Sequence, residues 1–501
     1  MALLILLFCS ITSFAAFNIV QTLQSDTANP LLPFGDGYGQ TVKLNGNFLY
    51  VAASFARPSG PTDVVSGAID IYHKNNGQWT KTQTIETLGE GDHDGALKIE
   101  AAGPWLMFSA LGTPIGPITN DVVTNQDFKG SIQIYKLNYQ TNQYEFFQSL
   151  DSNTPGLQNL TAASLASLDP RVPFFLNQQG ASFGLNFSFN PLTSVILVGA
   201  EYQANTNTGG QVMPNSGAVY SFIFNPFKNK WVYNQTLTNP DGVSSNDAFG
   251  YNVVQNGLVA LVSNGTFFQG PKLGPIAANS AVYVYNLKRL NWKFVQKITG
   301  DQITLPNVFT FSGSQFPMGD AFGESMDMSG LWAIIGAPLE SKDPLFNSIS
   351  GAVYFYKLFV DSDYSIKLKK IQKISSDDPF SYLTGFINID ISGNTAVISD
   401  PGRNGPASAY QGGAMVYQLQ NNGVWAQTDT LYDPNGGINN FFGGGVSIEG
   451  NTIAVGGVPF GSIGLVALAQ AFIGPPFHSS VLIPFLPLPN NPVIIYQNRS
   501  N

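Results

Sequence analysis

The chain has 501 residues, 44% hydrophobic and 13% aromatic, enough apolar material for a large buried core, which excludes a disordered protein. Charged residues make up only 11%, the net charge is −9, and the pI is near 4.8. No Lys/Arg cluster stands out, so nucleic acid is excluded as a partner, because phosphate backbones need a basic footprint.

The chain opens on an apolar run, Met1 to Cys9, too short to span a bilayer. Small residues follow at Ser13, Ala15 and Ala16, which predicts a signal peptide over 1–16, cut near Ala15 or Ala16, although no basic residue precedes the run. Cys9 is the only cysteine and would leave with that leader, so a secreted or surface-associated chain would rely on its core rather than on disulfides. Nothing downstream has the roughly 18 uninterrupted apolar residues of a membrane helix. The nearest stretch, Gly464 to Leu488, is broken by Pro475-Pro476, by His478-Ser479-Ser480 and by Pro484.

From Phe17 onward the chain reads as short apolar runs bounded by Gly or Pro, the pattern of strands rather than helices. A first strand opens on an aromatic-Gly pair at Tyr38-Gly39, Phe183-Gly184, Phe249-Gly250, Phe322-Gly323 and Phe442-Gly443. Degenerate copies stand at Asp94-Gly95-Ala96-Leu97 and from Gly385 to Ile391. A second glycine falls seven residues later at Gly46, Gly257, Gly330 and Gly450, which fixes a strand length ending in a tight turn. A continuous apolar second strand follows, as at Val195 to Ala200 and Ala333 to Pro338. The third begins Gly-Ala-Val-Tyr or a variant, as at Gly67, Gly130, Gly217 and Gly351. The fourth opens on an aromatic or apolar residue and usually carries a Gln, as in Trp79 to Ile85, Trp231 to Leu237 and Trp292 to Ile298.

First, second and third strands number seven each, but only six fourth strands lie downstream of them. Phe17 to Leu23 has the fourth-strand form and would complete the last sheet, closing a ring that would otherwise leave exposed faces. The predicted fold is therefore all-β, a seven-bladed β-propeller of four-stranded antiparallel blades closed by the N-terminal strand, one domain over 17–501. These repeated Phe-Gly pairs, Gly336-Ala337-Pro338 and Gly351-Ala352-Val353-Tyr354 resemble the FG-GAP repeat family, the propeller of integrin α-subunit heads and of many secreted microbial proteins. The resemblance covers nearly the whole chain after the leader.

Integrin-like heads hold calcium in an Asp-rich loop between first and second strands. Here those turns are tiny, as at Asn45-Gly46-Asn47 and Ser329-Gly330, and cannot supply six to eight oxygens, so neither metal nor cofactor is expected. Asp36, Asp247 and Asp320 recur ahead of the aromatic-Gly pairs and are read as carboxylates that satisfy turn amides. Only His73, His93 and His478 exist, so a Ser-His-Asp or multi-His zinc site lacks material. Glu324 beside the axis is one candidate for a shaft carboxylate pair able to hydrolyse a glycoside, with no specific partner legible.

Strand order puts the long loops on one face, where function generally sits on a rigid scaffold. Phe55, Arg57, Tyr202, Phe267, Phe268, Phe346 and Tyr410 are candidates there for binding a protein or carbohydrate ligand. The apolar, Pro-rich loop 463–488 is either a contact to an assembly or membrane surface, or folds back to plug the channel or cover a blade. Sequons stand at Asn159, Asn186, Asn264 and Asn498, and another at Asn234 falls within a strand. The leading expectation is a non-enzymatic binding or adhesion module. The alternatives are a structural component of a wall, fibre or virus particle, and a hydrolase with its site in the shaft.

Overall fold

In the computed structural model, residues 17–26, 36–54, 67–86, 95–110, 113–114, 126–127, 130–151, 153–157, 181–245, 247–265, 280–301, 308–311, 314–317, 320–338, 340–343, 348–349, 351–375, 388–407, 411–437, 442–457 and 492–498 are described. Among them seven four-stranded antiparallel sheets form the blades, and no helix occurs. Blade 1 is Tyr38–Asn45, Phe48–Ala53, Ala68–Asn75 and Gln78–Glu86; the same order repeats through blade 6, which ends at Trp425–Leu431. Blade 7 joins Phe442–Glu449, Thr452–Gly457 and Val493–Asn498 to the N-terminal strand Phe17–Leu23, with Phe17 opposite Asn498 and Leu23 opposite Val493. The expected closure by the first strand is therefore the observed one.

The two glycine signatures are halves of one joint between blades. The glycine after the aromatic takes a left-handed backbone at Gly39, Gly184, Gly250, Gly323 and Gly443, and in blade 2 Ala96 adopts the same φ of 62°. At Gly250 an added Cβ would lie 2.5 Å from the Ala218 carbonyl of the preceding blade, and at Gly443 2.1 Å from the Gly413 carbonyl. The glycine that opens the third strand meets the same joint from the other side: a Cβ on Gly217 would sit 2.2 Å from the Phe249 carbonyl oxygen. At Gly217, Gly250 and Gly443 close backbone approach, rather than turn geometry alone, favours glycine.

An outer belt runs around the ring. In every blade the fourth strand carries a bulge, and the bulged residue (Thr82, Phe147, Asn234, Val295, Ile371, Thr428 and Val20) immediately precedes one polar side chain. A bulge re-aims the next side chain. In six blades that side chain is a Gln, bonded reciprocally to the backbone of a residue near the start of the next blade's fourth strand. Gln235 is typical: Trp292 N donates to its Oε1 at 2.8 Å, and its Nε2 donates to Trp292 O at 3.2 Å. Gln235→Ala removes both bonds and strands a half-buried amide, so unfolding free energy is expected to fall by about 1–3 kcal/mol in denaturant titration.

Packing between blades is apolar and aromatic. Trp231, Trp292 and Trp425 are among the largest fully buried side chains, and Trp231 meets Trp105 of the preceding blade edge-on at 5.9 Å. No helix of the described residues is long and apolar enough to cross a membrane.

Candidate functional site

The first strands face the axis and enclose a shaft of about 660 Å³. Its mouth on the long-loop side is ringed by the residue that follows the left-handed position of each blade: Gln40, Leu97, Leu185, Tyr251 and Glu324 all line it. An Asn one position further on holds the ring in place. Asn186 Nδ2 donates to Tyr251 O at 2.7 Å, Asn252 Nδ2 to Glu324 O at 2.9 Å, and Asn388 Nδ2 to Gly444 O at 3.3 Å. Each carbonyl so held belongs to the next described blade, so the ring is positioned by inter-blade bonds rather than by its own strand.

Tyr251 and Glu324 line this mouth, and Glu201 and Tyr202 lie behind it, near enough for the Glu324 charge to act on both. Tyr251 Oη donates to Glu324 Oε1 at 2.6 Å. Glu324 keeps some solvent contact, as a side chain facing a channel does, yet protein surrounds it, and burial pushes its carboxyl up to about 7 against the opposing pull of the Tyr251 bond. Glu201 arrives from the end of the second strand of blade 3 and is 3% exposed. Burial first, then the charge of Glu324, push its carboxyl up to about 8, while the Tyr202 hydroxyl pulls the other way. Glu201 Oε2 has no hydrogen-bond partner among the described residues. Tyr202 and Tyr251 are themselves raised well above the usual phenol range, by burial and by these carboxylates.

A second ionised group lies deeper. Asp327, Asp390, Ser447 and Ser188 occupy one repeat position, and each oxygen accepts an N–H from the next blade: Ile391 at 2.9 Å, Ile448 at 2.9 Å, Leu44 at 3.1 Å and Gln255 at 3.1 Å. Lys43, at the same position in blade 1, has its Nζ 3.7 Å from Asp390 Oδ2. Burial would raise Asp390, but Lys43 and the donated hydrogen bonds hold it below the usual carboxylate range. Asp327, buried and beside Asp390, is driven well above it. These groups stitch blades together as well as charging the shaft.

The structure places the other anticipated residues as follows. Asp36 and Asp320 bond turn amides, Asp36 Oδ1 accepting from Tyr38 N at 3.0 Å and Asp320 Oδ1 from Phe322 N at 3.2 Å. Asp247 instead accepts from the side chains of Asn239 and Asn264. Tyr202 is half-buried with its hydroxyl turned to Glu201. Phe55, Arg57, Phe267, Phe268, Phe346 and Tyr410 lie outside the described residues, as do Asn159 and loop 463–488. Asn186 lines the shaft, Asn264 is buried with its amide on Asp247, and Asn498 is half-buried in the last strand. Glu324, a candidate from the sequence, lines the shaft, whereas Glu201 was not singled out there. The available signal was a Glu in place of proline, since Gly199-Ala200-Glu201 aligns with Gly336-Ala337-Pro338.

A carboxyl that is buried in the folded chain but solvated in the unfolded one links stability to pH. Glu201 and Glu324 are raised on folding, so their contribution is favourable at low pH and declines as pH rises from the ordinary carboxylate range through about 7 and about 8. Glu201→Gln is therefore expected to stabilise the protein at pH 8.5, on the order of a few kcal/mol, and to change little at pH 5. Urea titration at both pH values reads the difference.

No family model and no curated protein sequence matches the chain. Solved structures similar to it include a protein named as a candidate 6-phosphogluconolactonase from Bacteroides uniformis, 11% identical over 79% of this chain and 85% of that one, with a TM-score of 0.44. A second from Bacteroides fragilis is 11% identical over 79% and 84%, TM-score 0.45. The periplasmic gluconolactonase of Pseudomonas aeruginosa is 11% identical over 79% and 85%, TM-score 0.43. At such identities the likeness concerns the propeller fold alone.

The expectation of a non-enzymatic binding or adhesion module is corrected. The solved structures named above carry lactonase names, which belong to those proteins. Among the described residues, Glu324 lines the shaft and holds the Tyr251 hydroxyl, and Glu201 lies close enough to feel its charge. Burial lifts both carboxyls out of their ordinary range, the condition under which a carboxyl can move protons near neutrality.

Proposed function

We propose that the chain is a hydrolase whose site lies at the mouth of the propeller shaft, built on Glu324 and Glu201. The observation that carries this reading is Glu324, which lines a 660 Å³ channel and holds the Tyr251 hydroxyl at 2.6 Å, with the buried Glu201 near enough to feel its charge and the two carboxyls pushed up to about 7 and about 8. One proton shared between two such groups gives an acid and a base at the same pH. The ionised carboxylate takes a proton from water, whose oxygen attacks the electrophilic carbon of the substrate. The protonated carboxyl gives its proton to the departing oxygen as the carbon–oxygen bond breaks, and the pair's total proton count is unchanged.

Charge selects the substrate class. Glu100, Asp390, Glu449 and ionised Glu324 line the shaft against Lys43 and Lys98, leaving an excess of negative charge that would repel a phosphorylated or carboxylated substrate. Neutral lactones and neutral glycosides fit, and the many amide side chains at the mouth suit hydroxyl-rich molecules. The test is a turnover screen of neutral sugar lactones and chromogenic glycosides over pH 5–10. Activity in kcat/KM is expected to be bell-shaped: below about 7 both carboxyls hold protons and the base is lost, above about 8 both are ionised and the acid is lost. Absence of turnover across both classes overturns the reading.

The resemblance of the repeats to FG-GAP propellers belongs to this reading as a statement about architecture, since the Phe-Gly residues form the blade joints. The reading also takes 17–501 as one exported domain and 1–16 as its leader, placing the hydrolase outside the cell or on its surface.

A further inference from the structure

The outer belt has one joint unlike the rest. Where six blades present a Gln to the next, blade 6 presents Asp429, at the same position after the bulged Thr428. Its partner is Phe17, the first residue of the strand that closes the ring: Phe17 N donates to Asp429 Oδ2 at 3.0 Å, while Asp429 Oδ1 accepts from Thr430 N at 2.9 Å. A Gln serves an ordinary peptide group at both ends, accepting from its N–H and donating to its C=O. An Asp only accepts, so as a substitute for Gln it leaves the Phe17 carbonyl without that donor. The exchange makes chemical sense if the nitrogen of Phe17 is not an amide. An α-ammonium carries three hydrogens and a positive charge, which a carboxylate matches and a carboxamide does not.

We infer that the Ala16–Phe17 peptide bond is hydrolysed by a leader peptidase and that the resulting α-ammonium of Phe17 pairs with Asp429 to lock the ring. In the cleavage water adds across the bond: the carbon–nitrogen bond breaks, Ala16 leaves as a carboxylate and Phe17 keeps the nitrogen as an ammonium. Phe17 is 9% exposed, so the charge is formed at a partly buried site where it strengthens the pairing. The lock joins the two ends of the chain's folding order, since Phe17 pairs in register with Asn498 on one side and reaches blade 6 on the other.

Two measurements test it together. The full chain is produced with its own leader in a secreting host, and intact mass with N-terminal sequencing is expected to place Phe17 first. Thermal unfolding is then compared for chains beginning at Phe17 and at Ala16, made by removing a purification tag, each with Asp429 and with Asp429→Gln. Asp429→Gln is expected to lower Tm of the Phe17 chain by about 2 °C and to leave the Ala16 chain unchanged or more stable. A mature chain that begins at any residue other than Phe17 overturns the inference, and so does an equal effect of Asp429→Gln in both chains.

Discussion

Glu324→Gln is expected to lower kcat/KM at least about 1000-fold on any neutral lactone or glycoside that the wild-type chain turns over, since a carboxamide neither releases nor takes a proton. The substitution keeps the shape of the side chain and still accepts the Tyr251 hydroxyl, which approaches to 2.6 Å. Its backbone remains held by Asn252, so circular dichroism and Tm should be close to wild type. Tyr251→Phe separates tuning from chemistry. The Tyr251 bond pulls the Glu324 carboxyl down against burial, so its loss raises that carboxyl and should move the lower limb of the pH profile upward with a smaller loss of turnover. A Glu324→Gln chain with full activity would place the chemistry elsewhere.

Gly217→Ala is expected to cost about 3–5 kcal/mol, among the most damaging single changes available to this fold. The position has a φ of 75°, and its new Cβ would stand 2.2 Å from Phe249 O and 2.3 Å from Phe249 N. Those neighbours are main chain of the next blade, so relief requires the two blades to part. Gly46→Ala is the control. It shares the left-handed backbone, with a φ of 60°, but nothing lies within 4 Å of the added Cβ, so only about 1–2 kcal/mol of local strain is expected. Equal losses in the two variants, read by denaturant titration, would mean that the joint is not the reason for the glycine.

The two variants mark how far the sequence could be read. Repetition made the blades legible: a strand of fixed length between Gly39 and Gly46, repeated between Gly250 and Gly257, is a local pattern set by backbone conformation. The role of those glycines was only half legible. The turn at Gly46 is local, whereas Gly217 is needed because Phe249 of another blade comes against it. The same division holds for the belt. The recurrent Gln was visible at Gln83, Gln148 and Gln235, but its purpose, bonding the next blade's backbone, lies 61, 83 and 57 residues away along the chain.

For the site, the sequence offered Glu324 through its place after Phe322-Gly323 and withheld its partner. Glu201 stands 123 residues earlier, in another blade, and a lone glutamate at the end of a strand has no local mark of function. What lifts both carboxyls toward neutrality is burial, and at Glu201 also the charge of Glu324, properties of a distance and a dielectric that no local pattern encodes. The sequence by itself determined the strands, the repeat and the closed seven-bladed ring, because each rests on periodicity and backbone preference between near neighbours. The burial of the carboxyls in the proposed site belongs to the tertiary structure, because closing the ring is what brings distant blades to one axis and withdraws Glu324 and Glu201 from water.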